Sequence, residues 1–194
     1  MVHVRLEELE NYASNNNIPI MQKDGIEFLI NYIKENNIKN ILEIGSAIGY
    51  SAIKMALVNN DIKVTTIERD KERYDIAKDN IEKFNLNDRI NIIYGDALEI
   101  EINDKYDLIF IDAAKAQYIK FFEKYEKNLS KNGSIISDNL LFHGLVESEE
   151  NISNRNTRQL VKKIKKYIDY LKNNDKYITT FYKLGDGVAV SIKK

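Results

Sequence analysis

The sequence predicts an α/β fold in which helices cover both faces of a mainly parallel sheet. Short apolar runs alternate along the chain with segments of helical periodicity, and the last two runs are separated only by Gly185-Asp186-Gly187. Alternating strands and helices are typical of parallel sheets, whereas a short glycine-rich connection is typical of an antiparallel hairpin. We therefore expect a seven-stranded, mostly parallel sheet that ends in an antiparallel C-terminal hairpin.

The individual elements follow from the spacing of apolar residues. The predicted strands are 39–44, 62–67, 90–94, 106–111, 133–137, 177–183 and 187–192. The predicted helices are 3–16, 22–36, 49–59, 70–84, 115–129 and 154–172. The only proline, Pro19, precedes the second helix, where it restricts the chain without breaking an element. The polar connection 143–156 is predicted to be a mobile loop.

Length and composition favour one globular domain, 1–194, in the cytoplasm. The chain has no apolar run long enough for a membrane span, no signal-peptide pattern and no cysteine, which excludes disulfides and thiolate sites. A net charge of -1 argues against nonspecific coating of nucleic acid. Residues 129–194 are nevertheless basic, with 12 Lys and Arg against 7 Asp and Glu.

A glycine loop joins the first predicted strand to the third helix. Gly45 permits a sharp turn and close approach of a ligand, and the helix that begins near Gly49 presents free N–H groups. The second strand is followed by Glu68, where doubly wound folds place the acid that binds ribose hydroxyls. Alanine at position 47 breaks the dinucleotide glycine pattern, which disfavours a nicotinamide oxidoreductase, and the acidic Glu43 favours a cationic or amino-bearing ligand.

Polar residues also follow the next strands. Asp96 ends the third strand, where it or the adjacent amide of Ala97 would meet an adenine edge. The alternatives without a ligand are that Asp96 caps a helix and that Glu68 is a solvated surface acid.

Three oxygen ligands follow two successive apolar runs. Asp112 ends the run 107–112, and Asp138 and Asn139 close the following one. Carboxylates and an amide carbonyl suit Mg²⁺ or Ca²⁺ better than zinc, and they leave positions for water and substrate. Lys115 lies three residues beyond Asp112 and is a candidate base for a substrate hydroxyl. Taken singly, Asp112 also suits a helix cap, Lys115 a solvated lysine, and Asp138-Asn139 a plain turn.

Several segments together resemble the metal-dependent class I O-methyltransferases of the catechol and caffeoyl-coenzyme-A type, which have a Rossmann-like fold and use S-adenosylmethionine (SAM). The resemblance covers nearly the whole chain and is carried by Ile-Pro-Ile-Met (18–21), Glu-Ile-Gly-Ser-Ala-Ile-Gly-Tyr-Ser (43–51), residues 107–118, Ser-Asp-Asn (137–139) and Gly-Asp-Gly-Val-Ala-Val-Ser (185–191). Within that family, the segments 141–146 and 155–160 are most similar to bacterial tRNA 5-hydroxyuridine methyltransferases, which make 5-methoxyuridine at the wobble position.

The resemblance implies a site and an assembly. It implies SAM contacts from Met21, Ser51, Glu68, Asp96, Ala97 and Asp112, Mg²⁺ ligation by Asp112, Asp138 and Asn139, and a base role for Lys115. It also implies a homodimer, for which the apolar face of helix 3–16 and the pair Phe121-Phe122 are candidate surfaces.

A tRNA substrate requires a surface for phosphates, and helix 154–172 is the best candidate. Its predicted apolar stripe is Leu160, Val161, Ile164, Ile168 and Leu171, with Arg155, Arg158, Lys162, Lys165 and Lys166 opposite. Arg155 and Arg158 are the predicted RNA contacts, and Phe142 and His143 lie in the preceding loop, where Phe142 either stacks on a flipped base or packs the loop.

Two alternatives remain open: an O-methyltransferase for a small catechol-like or phenolic substrate, and a noncatalytic RNA-binding or dimerisation module.

Overall fold

The computed structural model describes residues 2–142, 144–146 and 154–194, and in this part of the chain seven strands form one sheet. The strands are β1 (Asn40–Ile44), β2 (Lys63–Glu68), β3 (Ile90–Tyr94), β4 (Tyr106–Ile111), β5 (Leu129–Ser137), β6 (Tyr177–Tyr182) and β7 (Val188–Lys193). Their order is β3-β2-β1-β4-β5-β7-β6. Strands β1 to β5 pair in parallel, and β7 pairs antiparallel with β5 and β6. The predicted sheet with its antiparallel hairpin is confirmed.

Helices pack on both faces of the sheet. They are α1 (Val2–Asn15), α2 (Lys23–Glu35), α3 (Tyr50–Ala56), α4 (Lys71–Lys83), α5 (Tyr118–Tyr125) and α6 (Arg155–Lys172). Side chains of α1 to α4 form one core with one face of the sheet, and those of α5 and α6 form a second core with the other face. Because side chains alternate along a strand, neighbours such as Ile109 and Phe110 belong to different cores. No helix in the described ranges is long and apolar enough to span a membrane.

The helix predicted over 115–129 is shorter in the structure. A 3-10 turn at Lys115–Gln117 precedes α5, and a second 3-10 turn, Glu126–Asn128, follows it. The side-chain amide of Asn128 donates to the carbonyls of Ile102 and Asp104 at 2.8 and 2.9 Å, which fixes the end of this segment. Strand β5 consequently begins at Leu129, four residues earlier than predicted.

The aromatic pair proposed for self-association is part of the protein's own core. Phe121 and Phe122 are 3% and 0% exposed, so their predicted surface role is wrong. Leu9 and Ala13 of α1 are likewise buried against the first core. Amphipathic periodicity correctly marked these apolar faces, but it does not say whether the same chain or a second copy covers them.

A close backbone contact joins the carboxyl ends of β1 and β4. The amide of Asp112 donates to the carbonyl of Ile44 at 3.0 Å, and the amide of Gly45 donates to Ile67 of β2 at 2.9 Å. Gly45 has a φ of +96°, and a Cβ at this position would overlap the carbonyl oxygen of Asp112. The glycine loop and the first predicted metal ligand are therefore placed side by side by the main chain.

We expect Gly45→Ala to lower the free energy of unfolding by roughly 3 kcal/mol, because it combines a disfavoured φ with overlap against Asp112. The matched control is Gly144→Ala, since Gly144 also has a positive φ, +78°, but a Cβ there would meet no atom of the described residues within 4 Å. Urea titration of both variants measures the difference. Equal losses of stability would contradict a specific contact between Gly45 and Asp112.

Candidate active site

A cavity of about 460 Å³ lies at the carboxyl ends of the central strands. Of the predicted cofactor residues, Met21, Gly45, Ser51, Glu68, Asp96, Ala97 and Asp112 line it. Lys115 and Asn139 line the same cavity. The parallel topology thus brings residues from distant parts of the sequence to one edge of the sheet.

Glu68 holds the glycine loop in place. Its Oε2 accepts a hydrogen bond from the amide of Ala47 at 2.8 Å, and its Oε1 accepts one from the amide of Asp70 at 2.9 Å. Ala47 has a φ of +44°, so this hydrogen bond fixes a backbone conformation that alanine rarely adopts. Glu68 is 7% exposed, which excludes the alternative of a solvated surface acid.

Asp96 also has a structural role at the cavity. Its Oδ1 accepts a hydrogen bond from the amide of Leu98 at 2.8 Å, as expected of a cap on the turn that follows β3. Because Asp96 and Ala97 line the cavity as well, the capping and ligand-facing roles are compatible at this position.

Glu43 differs from the other predicted cofactor residues because it does not line the cavity. It is completely buried, and its two carboxylate oxygens accept hydrogen bonds from the hydroxyls of Ser51 and Thr66, each at 2.5 Å. Burial raises the pKa of Glu43 to about 7, although the two hydroxyls act in the opposite direction. The predicted direct contact between Glu43 and a ligand is therefore wrong. Glu43 is connected to the cavity only by its hydrogen bond with Ser51, which lines it.

Asp112, Asp138 and Asn139 form a polar cluster in which Asp138 is buried and the other two are half-buried. The side-chain amide of Asn139 donates to Oδ1 of Asp112 at 2.7 Å, and Asn139 adopts a left-handed φ of +67°. Asp138 is 2% exposed, and its Oδ1 has no hydrogen-bond partner among the described residues. Burial raises the pKa of Asp138, and the negative charge of Asp112 raises it further. Burial also raises the pKa of Asp112, against the opposing effects of Lys115 and Asn139.

This cluster fits a hard divalent cation. In the described ranges no three His, Cys, Asp or Glu side chains group closely enough to hold a metal, so the candidate set is two carboxylates and the Asn139 amide. A buried carboxylate oxygen that accepts no hydrogen bond is stabilised by a nearby cation. A set of oxygen donors alone favours Mg²⁺ or Ca²⁺ over zinc.

Lys115 lies in the 3-10 turn between Asp112 and α5, beside the aromatic ring of Phe142. Its Nζ is 5.4 Å from the ring centroid. Phe142 has a φ of +47° and packs against the second core, which agrees with the loop-packing alternative. His143 and residues 147–153 of the predicted mobile loop lie outside the described residues.

The segment that carries Asp138 and Asn139 is tied to the turn between β6 and β7. The amide of Leu140 donates to the carbonyl of Gly187 at 2.9 Å, and the amide of Leu141 donates to the carbonyl of Asp186 at 2.7 Å. These two hydrogen bonds fix the chain directly after the candidate metal ligands.

Two tyrosines support the site and were missed in the sequence. The hydroxyl of Tyr118 donates to the carbonyl of Asp138 at 3.1 Å. Tyr167 is buried, hydrogen-bonds through its hydroxyl to Ser137 at 2.6 Å, and meets the ring of Tyr118 edge-on at 5.3 Å between centroids. Tyr167 continues the apolar stripe of α6 three residues after Ile164, so helical spacing was the signal that could have identified it.

The predicted RNA residues lie at the start of α6. Arg155 and Arg158 are exposed and do not line the cavity. Helix α6 packs against the 3-10 turn that contains Lys115. Its buried residues Val161, Ile164 and Leu171 confirm the inner part of the predicted stripe.

Known proteins resemble this chain in sequence and in fold. A family model described as O-methyltransferase matches residues 2–194. A caffeoyl-CoA O-methyltransferase from Populus kitakamiensis is 31% identical over 202 residues, which cover 97% of this chain and 86% of the relative. A solved Staphylococcus aureus structure, provisionally described as a caffeoyl-CoA O-methyltransferase, is 44% identical with a TM-score of 0.94 over 97% of this chain and 92% of that one. An O-methyltransferase from Bacillus cereus, solved in complex with SAH, is 30% identical with a TM-score of 0.83 over 98% of this chain and 91% of that one. With its whole described length matched, this chain belongs to the O-methyltransferase family.

Proposed function

We propose that this O-methyltransferase transfers a methyl group from SAM to the 5-hydroxyl of 5-hydroxyuridine at wobble position 34 of tRNA, giving 5-methoxyuridine, and that it depends on Mg²⁺. One observation supports the chemistry above all others. Asp112, Lys115 and Asn139 line the same cavity as the glycine loop, so a methyl donor and an acceptor hydroxyl would meet at Asp112. The homodimer implied by the family resemblance remains part of this proposal.

The cavity offers a suitable group for each part of SAM. Glu68 would accept the ribose hydroxyls, and the Asp96–Ala97 turn would face the adenine. Met21, Ser51 and Asp112 also line the cavity and would face the amino-acid portion. SAM supplies a methyl group that is already highly reactive, so the main task of these residues is to align it with the acceptor oxygen.

Asp112, Asp138 and Asn139 are the residues that would hold Mg²⁺. A bound Mg²⁺ would act as a Lewis acid that makes an acceptor hydroxyl easier to deprotonate. Lys115 is the candidate acceptor of that proton, because it lies in the turn directly after Asp112 and lines the same cavity. The intact set of four residues argues against a noncatalytic module.

The basic surface of α6 supports an RNA substrate. The helix carries seven Lys and Arg residues and one acid, Asp169. The basic residues Arg155, Arg158, Lys162, Lys163, Lys166 and Lys172 are exposed. Because this cationic helix packs against the turn of the proposed base, it would bind phosphates near a target nucleotide.

A small phenolic acceptor is the second candidate. The name of the Populus relative refers to a phenolic coenzyme-A ester, and the cavity chemistry described above would serve a phenolic hydroxyl equally well. The two candidates share a reaction and differ in whether α6 contacts the substrate.

We expect Asp138→Ala to abolish turnover that depends on divalent cations while S-adenosylhomocysteine (SAH) binding stays measurable, because Asp138 is not a cavity-lining residue. Methyl transfer assays across a Mg²⁺ titration measure the loss of turnover, and calorimetry measures the binding of SAH. Asp175→Ala, a change at an exposed acid after α6, is the control. Full activity of Asp138→Ala would contradict the metal role.

We expect Lys115→Ala to lower kcat by about 100-fold near neutral pH, with partial recovery at high pH, because a general base becomes dispensable once the acceptor ionises in solution. The pH profile of kcat measures this effect. Lys120→Ala, which removes an exposed lysine of α5, should keep the wild-type profile. An unchanged profile in Lys115→Ala would count against the base role.

We expect Arg155→Ala/Arg158→Ala to raise KM for tRNA by about tenfold, with a weaker dependence on salt, because phosphate contacts are lost. The control Lys63→Ala/Lys78→Ala removes the same amount of charge from exposed positions elsewhere, and it should leave KM for tRNA and its salt dependence unchanged. The assay uses labelled SAM, Mg²⁺ and RNA from cells that lack the enzyme, and mass spectrometry identifies the labelled nucleoside. Methylation of free catechols without methylation of RNA would overturn the tRNA proposal in favour of the second candidate.

A further inference from the structure

We propose that Tyr118 is a positioning residue that fixes the orientation of the Asn139 amide, so that the carbonyl oxygen of Asn139 is left free for the divalent cation. This inference rests on the proposed metal site. Tyr118 itself does not line the cavity, so it would act only through its neighbour. An asparagine amide has an oxygen that accepts hydrogen bonds and a nitrogen that donates them, and only the oxygen binds a hard cation. The orientation of this amide therefore decides whether Asn139 is a ligand.

The direction of one hydrogen bond carries the argument. The hydroxyl of Tyr118 lies 3.1 Å from the carbonyl oxygen of Asp138, and a carbonyl oxygen has no proton to donate. Tyr118 must therefore be the donor. Because its single proton is directed to the main chain next to Asn139, the hydroxyl offers only its lone pairs to any other neighbour.

The surroundings of Tyr118 maintain this direction. The residue is 1% exposed, so water does not compete for its hydroxyl. Its ring meets the ring of Tyr167 edge-on at 5.3 Å between centroids, and this packing restricts rotation of the side chain. A proton turned away from Asp138 would leave a buried carbonyl without this donor, which costs free energy.

Two hydrogen-bond acceptors then determine how the Asn139 amide points. Its nitrogen donates to Oδ1 of Asp112 at 2.7 Å. Burial raises the pKa of Tyr118, and a hydrogen bond from the side chain of Asn139 acts in the opposite direction, as a donor to the hydroxyl oxygen does. The reversed amide would place its own oxygen against these two acceptors. Asp112 and Tyr118 therefore hold the nitrogen and leave Oδ1 available to a cation.

Tyr118 supplies what Asp112 cannot supply alone. The main chain fixes where the Asn139 side chain starts, because Asn139 has a left-handed φ of +67° directly after β5 and Asp138. Rotation of the amide is the freedom that remains. Asp112 would share its oxygens with a bound cation, whereas the hydroxyl of Tyr118 is buried away from the cavity. Tyr118 is therefore the contact that still orients the amide when the site is filled.

The test measures metal affinity separately from activity. Electron paramagnetic resonance follows the binding of Mn²⁺, a substitute for Mg²⁺, at pH 8 to the wild type, Tyr118→Phe, Asn139→Asp and the double variant. We expect Tyr118→Phe to weaken Mn²⁺ binding by about tenfold, because it removes a group that orients a metal ligand. Its affinity for SAH, measured by calorimetry without metal, should stay within about twofold of the wild-type value.

The Asn139→Asp background separates orientation from general damage. A carboxylate has two equivalent oxygens and no nitrogen, so it has no wrong orientation for Tyr118 to prevent. Adding Tyr118→Phe to Asn139→Asp should therefore weaken Mn²⁺ binding by less than about twofold.

Tyr167→Phe is the matched control, because it removes the hydroxyl of the neighbouring buried tyrosine, which hydrogen-bonds to Ser137. Its affinity for Mn²⁺ should stay within about twofold of the wild-type value. Unchanged affinity in Tyr118→Phe, equal weakening in the two phenylalanine variants, or the full loss in the Asn139→Asp background would overturn the positioning role. A wild type that binds no Mn²⁺ would instead overturn the proposed metal site, and this inference with it.

Discussion

The contact between Gly45 and Asp112 is the constraint on which the rest of the site depends. It brings the main chains of β1 and β4 so close that only a residue without a side chain fits at position 45. The glycine loop and the proposed metal ligand consequently line one cavity side by side. Residues proposed for two different ligands are thereby held together by backbone, which is the least adjustable part of a protein.

Negative charge is the second organising feature of this edge of the sheet. Glu43, Glu68, Asp112 and Asp138 lie close enough for their charges to affect one another, and most of their oxygens are occupied by hydroxyls or amides. The protein's own donors leave the Oδ1 of Asp138 without a partner among the described residues. Such a site is completed by cationic ligands, which is what a divalent metal and a sulfonium cofactor with an ammonium group would both supply.

Much of the fold and site could be predicted because parallel strands deliver their carboxyl ends to one edge. Asp112, Asp138 and Asn139 are predicted to lie close together because they follow buried apolar runs, and Asn139 does hydrogen-bond to Asp112. Glu43 could not be placed in the same way, since it lies inside β1 and its direction depends on which face of the strand meets Ser51. Helical spacing predicts that Tyr167 belongs to the buried stripe of α6, but it does not reveal the hydrogen bond to Ser137, which depends on tertiary packing.

The two hydrogen bonds from Leu140 and Leu141 to the turn at 186–187 have a consequence for the order of assembly. Strand β7 lies between β5 and β6, so the sheet cannot close until residues 188–193 have been synthesised. During translation the glycine loop and Asp112 emerge early. The segment that follows Asp138 and Asn139 can form its hydrogen bonds to Asp186 and Gly187 only after those residues have been synthesised. A nascent chain would therefore form the part of the cavity proposed for the methyl donor before the part proposed for the acceptor, and the full site would be complete only when the sheet is finished.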